Sequence, residues 1–373
     1  MRASLMKILR LGIKELYGLK SDVIMLLLIV YAFTVAIYAV STGAKFDVEN
    51  AAVAVVDDDH SALSTRLRDA LMKPIFKPAV EIAANEVDTA MDSGRFVFVV
   101  EIPTNFERDV LADKHPVVQV DIDATAMSQA GNGASFIQTI LLNEVATAFP
   151  AKMKTSPLDV VVRAKFNPNL ESVWFTSVMQ VINNITILSL ILSGAALIRE
   201  REHGTIEHLL VMPVKPFEIM LSKIWANGLV IVVAATLCLT IVVERLLGVT
   251  VNGSVPLFVL IAVLYLFSVT SLGILIATFT TSMAQFGLLV MPVMIVMMLL
   301  SGSMTPTESM PVWLQDIMLI SPSTHFVALA QAVLYRGAGL DLIWGRMLIL
   351  FGIGFCFFAL SLARFRASLL NAG

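Results

Sequence analysis

Uncharged apolar stretches of 17 to 24 residues recur along the chain, and the charged residues gather in the segments between them. A bilayer hydrocarbon core ~30 Å thick takes about 20 residues of helix. Six stretches answer to that length: Val23–Val40, Val178–Ile198, Ile224–Val243, Pro256–Phe279, Phe286–Met304 and Met347–Ala363. The first and last are short but flanked by further apolar residues. Another apolar run, Val312–Tyr335, is interrupted by Asp316 and by Ser321-Pro322-Ser323-Thr324. Pro322 lacks a backbone donor and disfavours helix at the residue before it, so this run predicts two short helices forming a re-entrant hairpin. Broken backbone of that kind survives at membrane depth only where it packs on protein or lines a wet cavity.

Ahead of the first span the pattern is amphipathic. Leu5, Ile8, Leu9, Gly12 and Leu16 share one helical face and Lys7, Arg10 and Lys14 the other, as in a basic helix lying at a lipid surface. The apolar run of 18 residues that follows exceeds the ~7–15 of a signal-peptide core. With their flanks, the segments are an interface helix at 1–22, spans at 23–42, 178–198, 224–243, 256–279, 286–304 and 347–363, a hairpin at 312–335, a loop at 199–223 and an insert at 43–177.

The insert alternates differently. Ala52–Val56, Ala79–Ala83, Arg95–Ile102, Val117–Asp123 and Val160–Phe166 read as strands. Ala62–Met72 with Ser61 as its cap, Asn85–Met91, a short helix through Leu111 and Met127 to about Phe149 read as helices. Strands alternating with helices predict a small α/β domain, and Asn167-Pro168-Asn169 turns the chain into the second span. The predicted fold is therefore a polytopic α-helical membrane protein of six transmembrane helices plus a re-entrant hairpin, with an inserted extracytoplasmic α/β domain.

Composition agrees. Charged residues are 15% of the chain, against about 25% in soluble domains, and mean hydropathy is +0.82, which excludes a soluble enzyme or a disordered scaffold. Net charge is −3, too even for a nucleic-acid partner. Segment 43–177 carries −7 and the remainder +4. Orientation follows from the short loops: eleven Lys and Arg flank the N-terminus, the 199–223 loop and the C-terminal tail, against Arg245, Arg336 and Arg346 on the other side. Both termini are thus predicted to be cytoplasmic. Cys238 and Cys356 lie in apolar runs and read as small core residues.

The candidate chemistry is sparse. No Lys follows a Gly anywhere, so the chain has no Walker A loop and cannot hydrolyse ATP alone. No Asp, Glu, Lys, Arg or His lies in the six span cores, which disfavours an ion-coupled carrier. Asn183, Asn184 and Thr186 are neutral polar residues of the second span, suited to interhelical hydrogen bonds or to a substrate path. Asp57-Asp58-Asp59 with Asp121 and Asp123 read as solvated strand ends rather than a metal site, and His60 and His115 as surface or turn residues. Gly131-Asn132-Gly133 has no following Gly-Lys and is not a phosphate loop.

The most informative stretch is Arg199-Glu200-Arg201-Glu202-His203-Gly204-Thr205-Ile206-Glu207-His208-Leu209-Leu210, followed by Pro213 and Lys223. Gly204 breaks the preceding helix and Thr205 caps a short amphipathic one, of a size that docks into a groove on a soluble partner. This segment resembles the signature of ABC-2-type permeases, the membrane subunits of bacterial ATP-binding-cassette exporters, in particular the multidrug-type subgroup with a large extracytoplasmic insert. The topology resembles that family over essentially the whole chain, with specific motif only over about 198–223. The resemblance implies that Glu200, Arg201, Glu202, Gly204, Thr205, Glu207, Leu209 and Leu210 couple to a separate ATPase. It implies a second permease copy, ABC ATPase subunits holding ATP and Mg²⁺ (no cofactor on this chain), a periplasmic adaptor and surrounding lipid. It also implies a bacterial inner-membrane location with 43–177 periplasmic. The expected function is an export permease for a hydrophobic or amphipathic cargo, with Asn183, Asn184, Phe267, Met291 and Met294 as candidate path residues. The alternative is a non-transporting receptor or assembly anchor displaying the insert.

Overall fold

The structure is a computed structural model. It describes residues 2–43, 50–93, 95–112, 114, 116–122, 127–149, 172–202, 214–251, 253–305, 307 and 310–370. The chain divides into two compact units, one comprising Met1–Gly43 with Val173–Gly373 and the other Ala44–Ser172.

The first unit is helical. It comprises α1 (Arg2–Ser21), α2 (Val23–Phe33), α3 (Val35–Gly43), α8 (Ser172–Glu202), α9 (Pro216–Leu237, continued by a π-helix over Cys238–Leu246), α10 (Val255–Thr278), α11 (Met283–Leu299), α12 (Val312–Met318), α13 (Pro322–Leu334) and α14 (Leu340–Leu370). Five helices, counting α2–α3 and α9 with its continuation as one each, are long and apolar enough to cross a membrane, or six if the pair α12–α13 is one span. The protein is a polytopic membrane protein. Helix α8 is its central element, with 89% of its apolar window buried.

Small residues let the helices approach. A Cβ on Gly273 of α10 would stand 3.0 Å from the Leu190 carbonyl oxygen of α8 and closer still to the Ser193 hydroxyl. On the opposite side of α10, Gly354 of α14 leaves room for Ser268, whose hydroxyl donates to the Leu350 carbonyl at 3.0 Å. Most other hydroxyls, such as Thr186, Ser189 and Ser193, bond back to carbonyls one turn earlier, so they cross the apolar interior already satisfied.

Two departures from the sequence reading have local causes. The first span breaks at Thr34, between α2 and α3, where Asn184 of α8 donates to the Ala32 carbonyl. The expected span 286–304 is helical only as Met283–Leu299, 17 residues containing Pro292. Past it Gly302 takes φ +93°, and the Ser301 and Ser303 hydroxyls turn back to the Met298 carbonyl. The run 312–335 is two helices bent by 89°, with Pro322 at the start of the second and the His325 Nε2 at 2.8 Å from the Leu319 carbonyl closing the bend.

The second unit is α/β: β1 (Val53–Asp57), α4 (Ala62–Ala70), β2 (Val80–Glu81), α5 (Val87–Asp92), β3 (Phe98–Ile102), α6 (Phe106–Leu111), β4 (Gln119–Ile122) and α7 (Met127–Ala148). Sheet order is β2-β1-β3-β4, with β1 parallel to β2 and β3, and β4 antiparallel to β3. Alternate strand residues face opposite layers. Val53, Val55, Phe98, Val100 and Ile102 pack with Leu63, Leu67 and Ile137 of α4 and α7, while Ala54, Val56 and Val99 pack with Val87 and Ala90 of α5. Ser61 caps α4 through a reciprocal bond pair with Ser64. Asp57 accepts from the backbone N–H of Asp59 and His60 and from Ser64, and Asp59 accepts from the Glu107 N–H. These carboxylates organise turns. Gly133 belongs to α7 and leaves room for the Phe98 ring, 2.2 Å from where its Cβ would be. The expected strand Val160–Phe166, the Asn167–Asn169 turn, Asp123 and His115 lie outside the described residues.

Gly273→Val should overpack the α8–α10 crossing and cost about 1–3 kcal/mol. The expected result is a lower melting temperature in lipid nanodiscs with expression intact. An unchanged melting temperature would contradict close packing at this crossing.

Candidate functional site

On either side of segment 203–213, the last turn of α8 and the first turns of α9 carry a cluster of charges. A charge next to hydrocarbon needs a partner, and several here find it within the chain. Lys223, in the third turn of α9, has a side chain only 2% exposed. Its Nζ lies 2.9 Å from Oε1 of Glu200 at the end of α8 and 3.1 Å from Oε1 of Glu15 on α1. Lys14 approaches Glu200 from the exposed side at 3.9 Å. The group balances two carboxylates with two ammonium ions.

Helix α1 is fastened along α9 by further contacts. The Trp225 indole N–H donates to the Ile8 carbonyl at 3.2 Å, and its ring lies over Gly12, where any side chain would collide. The Ser4 hydroxyl donates to Glu218, whose other oxygen accepts the Lys215 N–H and so caps α9. The packed face of α1 is thus Ser4, Ile8, Gly12 and Glu15, whereas Leu5 and Leu9 of the expected apolar face are exposed. At the other end of α1, Asp22 caps α2 by accepting from the Met25 N–H and pairs with Arg199 at 2.7 Å. The Met25 N–H holds the Asp22 carboxyl below the usual carboxylate range, with Arg199 adding to it and burial opposing.

The remaining residues of the α8 terminus reach the turn between α10 and α11. Arg201 donates to the Thr280 carbonyl, and Glu202 accepts the Met283 N–H at 2.9 Å at the start of α11. Placed near a helix N-terminus, the Glu202 carboxylate also meets the positive end of the α11 dipole. Glu200, Arg201 and Glu202 therefore tie the approach to the loop to α1, α9 and α11. A polar cavity of about 170 Å³ lies beside them, lined in part by Lys14, Arg199, Glu200 and Asn227, large enough to hold water. Gly204, Thr205, Glu207, Leu209 and Leu210 lie outside the described residues.

The candidate path residues occupy separate surroundings. Asn183 accepts from the Ser303 hydroxyl at 3.2 Å, and Asn184 bonds Gln180 and the Ala32 carbonyl. Phe267 packs against Phe351 and Phe358 of α14. Met291 is 58% exposed on α11, and Met294 is partly buried on the same helix. The structure does not gather these five around one cavity of a single chain. Sequence reasoning placed Lys14 on a lipid-facing basic face and Lys223 at the end of the signature-like segment, but paired neither with an acid. The signal for more was position: Lys223 sits about two turns into a largely apolar helix, too deep to remain unpaired.

Long apolar helices, a charge-tied loop end and an inserted α/β unit define the membrane subunit of a transporter. The chain belongs to the ABC-2 family of transporter proteins, whose family model matches residues 20–363. It is 50% identical over 368 residues to the inner membrane transport permease YhhJ of Escherichia coli K12, covering 98% of both chains. It is 28% identical over 306 residues to the probable multidrug ABC transporter permease YbhR of the same strain, covering 82% of this chain and 83% of the relative. To the probable multidrug ABC transporter permease YbhS the identity is 26% over 268 residues, 71% of each chain. This is an ABC-2-type permease, a membrane subunit of an ABC transporter.

Removing Lys223 strands two carboxylates in a buried site. Lys223→Met should cost about 3–5 kcal/mol, and adding Glu200→Gln should recover part of the loss. Melting in nanodiscs measures both, and an unchanged single variant would contradict the pairing. The Asp22 cap predicts an acid dependence. Its folded pKa lies below the unfolded value, so the stabilisation is full above about pH 3.9 and drains as pH falls through the folded value. Asp22→Asn should lower stability at pH 7 and converge with the parent as pH falls through the lowered folded value, and equal melting at pH 7 would contradict it.

Proposed function

We propose that this chain is the permease subunit of an exporter in the bacterial inner membrane, worked by separate ABC ATPase subunits that carry the ATP and Mg²⁺. Two copies form the path for a hydrophobic or amphipathic cargo. Residues 43–177 lie in the periplasm, where they guide cargo outward or dock an adaptor, and both termini are cytoplasmic. In this reading 286–304 is a sixth span despite its short helix, and 312–335 is a re-entrant hairpin.

The observation that supports this reading is the bonding at both edges of the 203–213 loop. Glu200 and Lys223 join the helix entering the loop to the helix leaving it, and Glu202 joins the same end to α11. A push on the loop by a closing ATPase dimer is then delivered to several helices together. A display anchor has no use for such a linkage. In the relatives whose printed names include ABC transporter permease, the same family assignment points to the same kind of partner.

Glu202→Lys with Glu207→Lys should abolish stimulation of the partner ATPase while membrane insertion stays intact. The measurement is ATP turnover of the complex reconstituted in nanodiscs, with copurification as the binding readout. Unchanged copurification together with unchanged turnover would refute the coupling role.

A further inference from the structure

The inserted unit holds a cavity of about 730 Å³ that no transport step described above uses. It arises from the way α7 is seated. Arg66 of α4 pairs with Glu144 of α7 at 3.1 Å, and Gly133 drops α7 onto Phe98. Both contacts hold α7 against α4 and β3, and among the described residues the edge strand β4 is only partly covered. Val120 and Ile122, which face the same layer in the pleat, are only partly buried. Phe106 and Val110 of α6 form one wall, and Leu141 and Val145 of α7 the other. A cavity of this size lies within the ~300–1,000 Å³ of small-molecule sites, and its lining is predominantly apolar, as theirs is.

Two polar groups lie in that lining besides the apolar side chains. The Gln138 carboxamide is one, and the Lys114 ammonium is the other and, among the described residues, the only charged lining group. Asp109 takes one Lys114 donor at 3.1 Å, and an ammonium has three. The Lys114 side chain is 64% exposed, so its remaining donors are accessible. Among the described residues, no carboxylate lines the cavity to receive a cationic head. The unit's net negative charge acts from farther away and is screened over ~8 Å.

We propose that this groove binds a long-chain carboxylic acid, its chain over Val120 and Ile122 and its carboxylate at Lys114. The Gln138 amide is the second donor. Calling the ligand cargo rests on the exporter reading, but occupancy of the groove does not. It is therefore tested without ATP or any ATPase subunit, where failure of coupling leaves it untouched.

The experiment places the full chain in nanodiscs with palmitic acid bearing a diazirine on its chain, and maps the photo-adducts by peptide mass spectrometry. Adducts are expected on peptides containing Ile122, Leu141 and Val145. Lys114→Glu should reduce them about tenfold or more, as for loss of one charge-assisted bond, while adducts of the matching long-chain alcohol stay constant. Ala134→Trp, which fills the groove from α7, should abolish both sets. Should that variant misfold, Lys114→Glu at an exposed position carries the test alone. Adducts confined to the membrane spans would overturn the proposal, as would a groove kept unlabelled by another part of the chain. Equal labelling by acid and alcohol in both the parent and Lys114→Glu would overturn the assigned head group.

Discussion

An ammonium held at 2% exposure must keep its counter-charges within bonding distance, and Lys223 obtains them from two different helices. That requirement fixes where α1 lies. Glu15 reaches Lys223 only if α1 runs along α9, and the Trp225 ring over Gly12 allows the approach. It also fixes the end of α8, because Glu200 must stay beside Lys223 just before the chain leaves the helix. A buried ion pair is seldom the most stable solution, since an apolar group of equal volume usually does as well or better. Its value lies in register, because charges bond at one relative position of the helices, whereas apolar faces slide.

Inside the bundle the opposite rule holds. Polar side chains there are neutral, and many hydroxyls are satisfied locally by carbonyls one turn earlier in their own helix. Two bonds between segments coincide with irregular backbone. Asn184 bonds the Ala32 carbonyl beside the Thr34 break, and Asn183 bonds Ser303 where α11 gives way to the Gly302 turn. Away from water a broken helix needs such donors and acceptors. The two asparagines are thereby accounted for as supports of the discontinuous first and fifth apolar segments.

Much of the fold was legible because hydrocarbon length and the absence of charge are coarse, additive signals. Pro256–Phe279 was expected and Val255–Thr278 is observed, and Ser61 announced α4 by its type and position. The π-helix over Cys238–Leu246, the break at Thr34 and the stop at Leu299 were not legible, since each depends on what a neighbouring helix offers. The site divides the same way. Glu200, Arg201 and Glu202 stood out as a run, but their partners Lys223, Thr280 and Met283 are some 20 to 80 residues away, and no local pattern relates them. On α1, periodicity placed Ile8 and Gly12 on the apolar face, whereas the packed face also takes in Ser4 and Glu15, polar residues that hydropathy treats as interruptions.

The two edges of the 203–213 loop differ in what they can do separately. Moving the end of α8 without the start of α9 would part Glu200 from Lys223 in a poorly hydrated site, at a cost of several kcal/mol. Moving them together leaves that pair intact and costs only the weaker packing around it. The softest displacement of the loop is therefore one that carries α8, α9 and α1 as a block. Glu202 and Arg201 are different, because their partners are a backbone N–H and a carbonyl in the α10–α11 turn. Those bonds are single and partly exposed, so they yield first. The end of α8 is thus held stiffly to α9 and α1 and more weakly to α11. Gly194 of α8 faces Phe286 of α11, where a Cβ would stand 1.9 Å from the ring, so no side chain on Gly194 obstructs sliding between them.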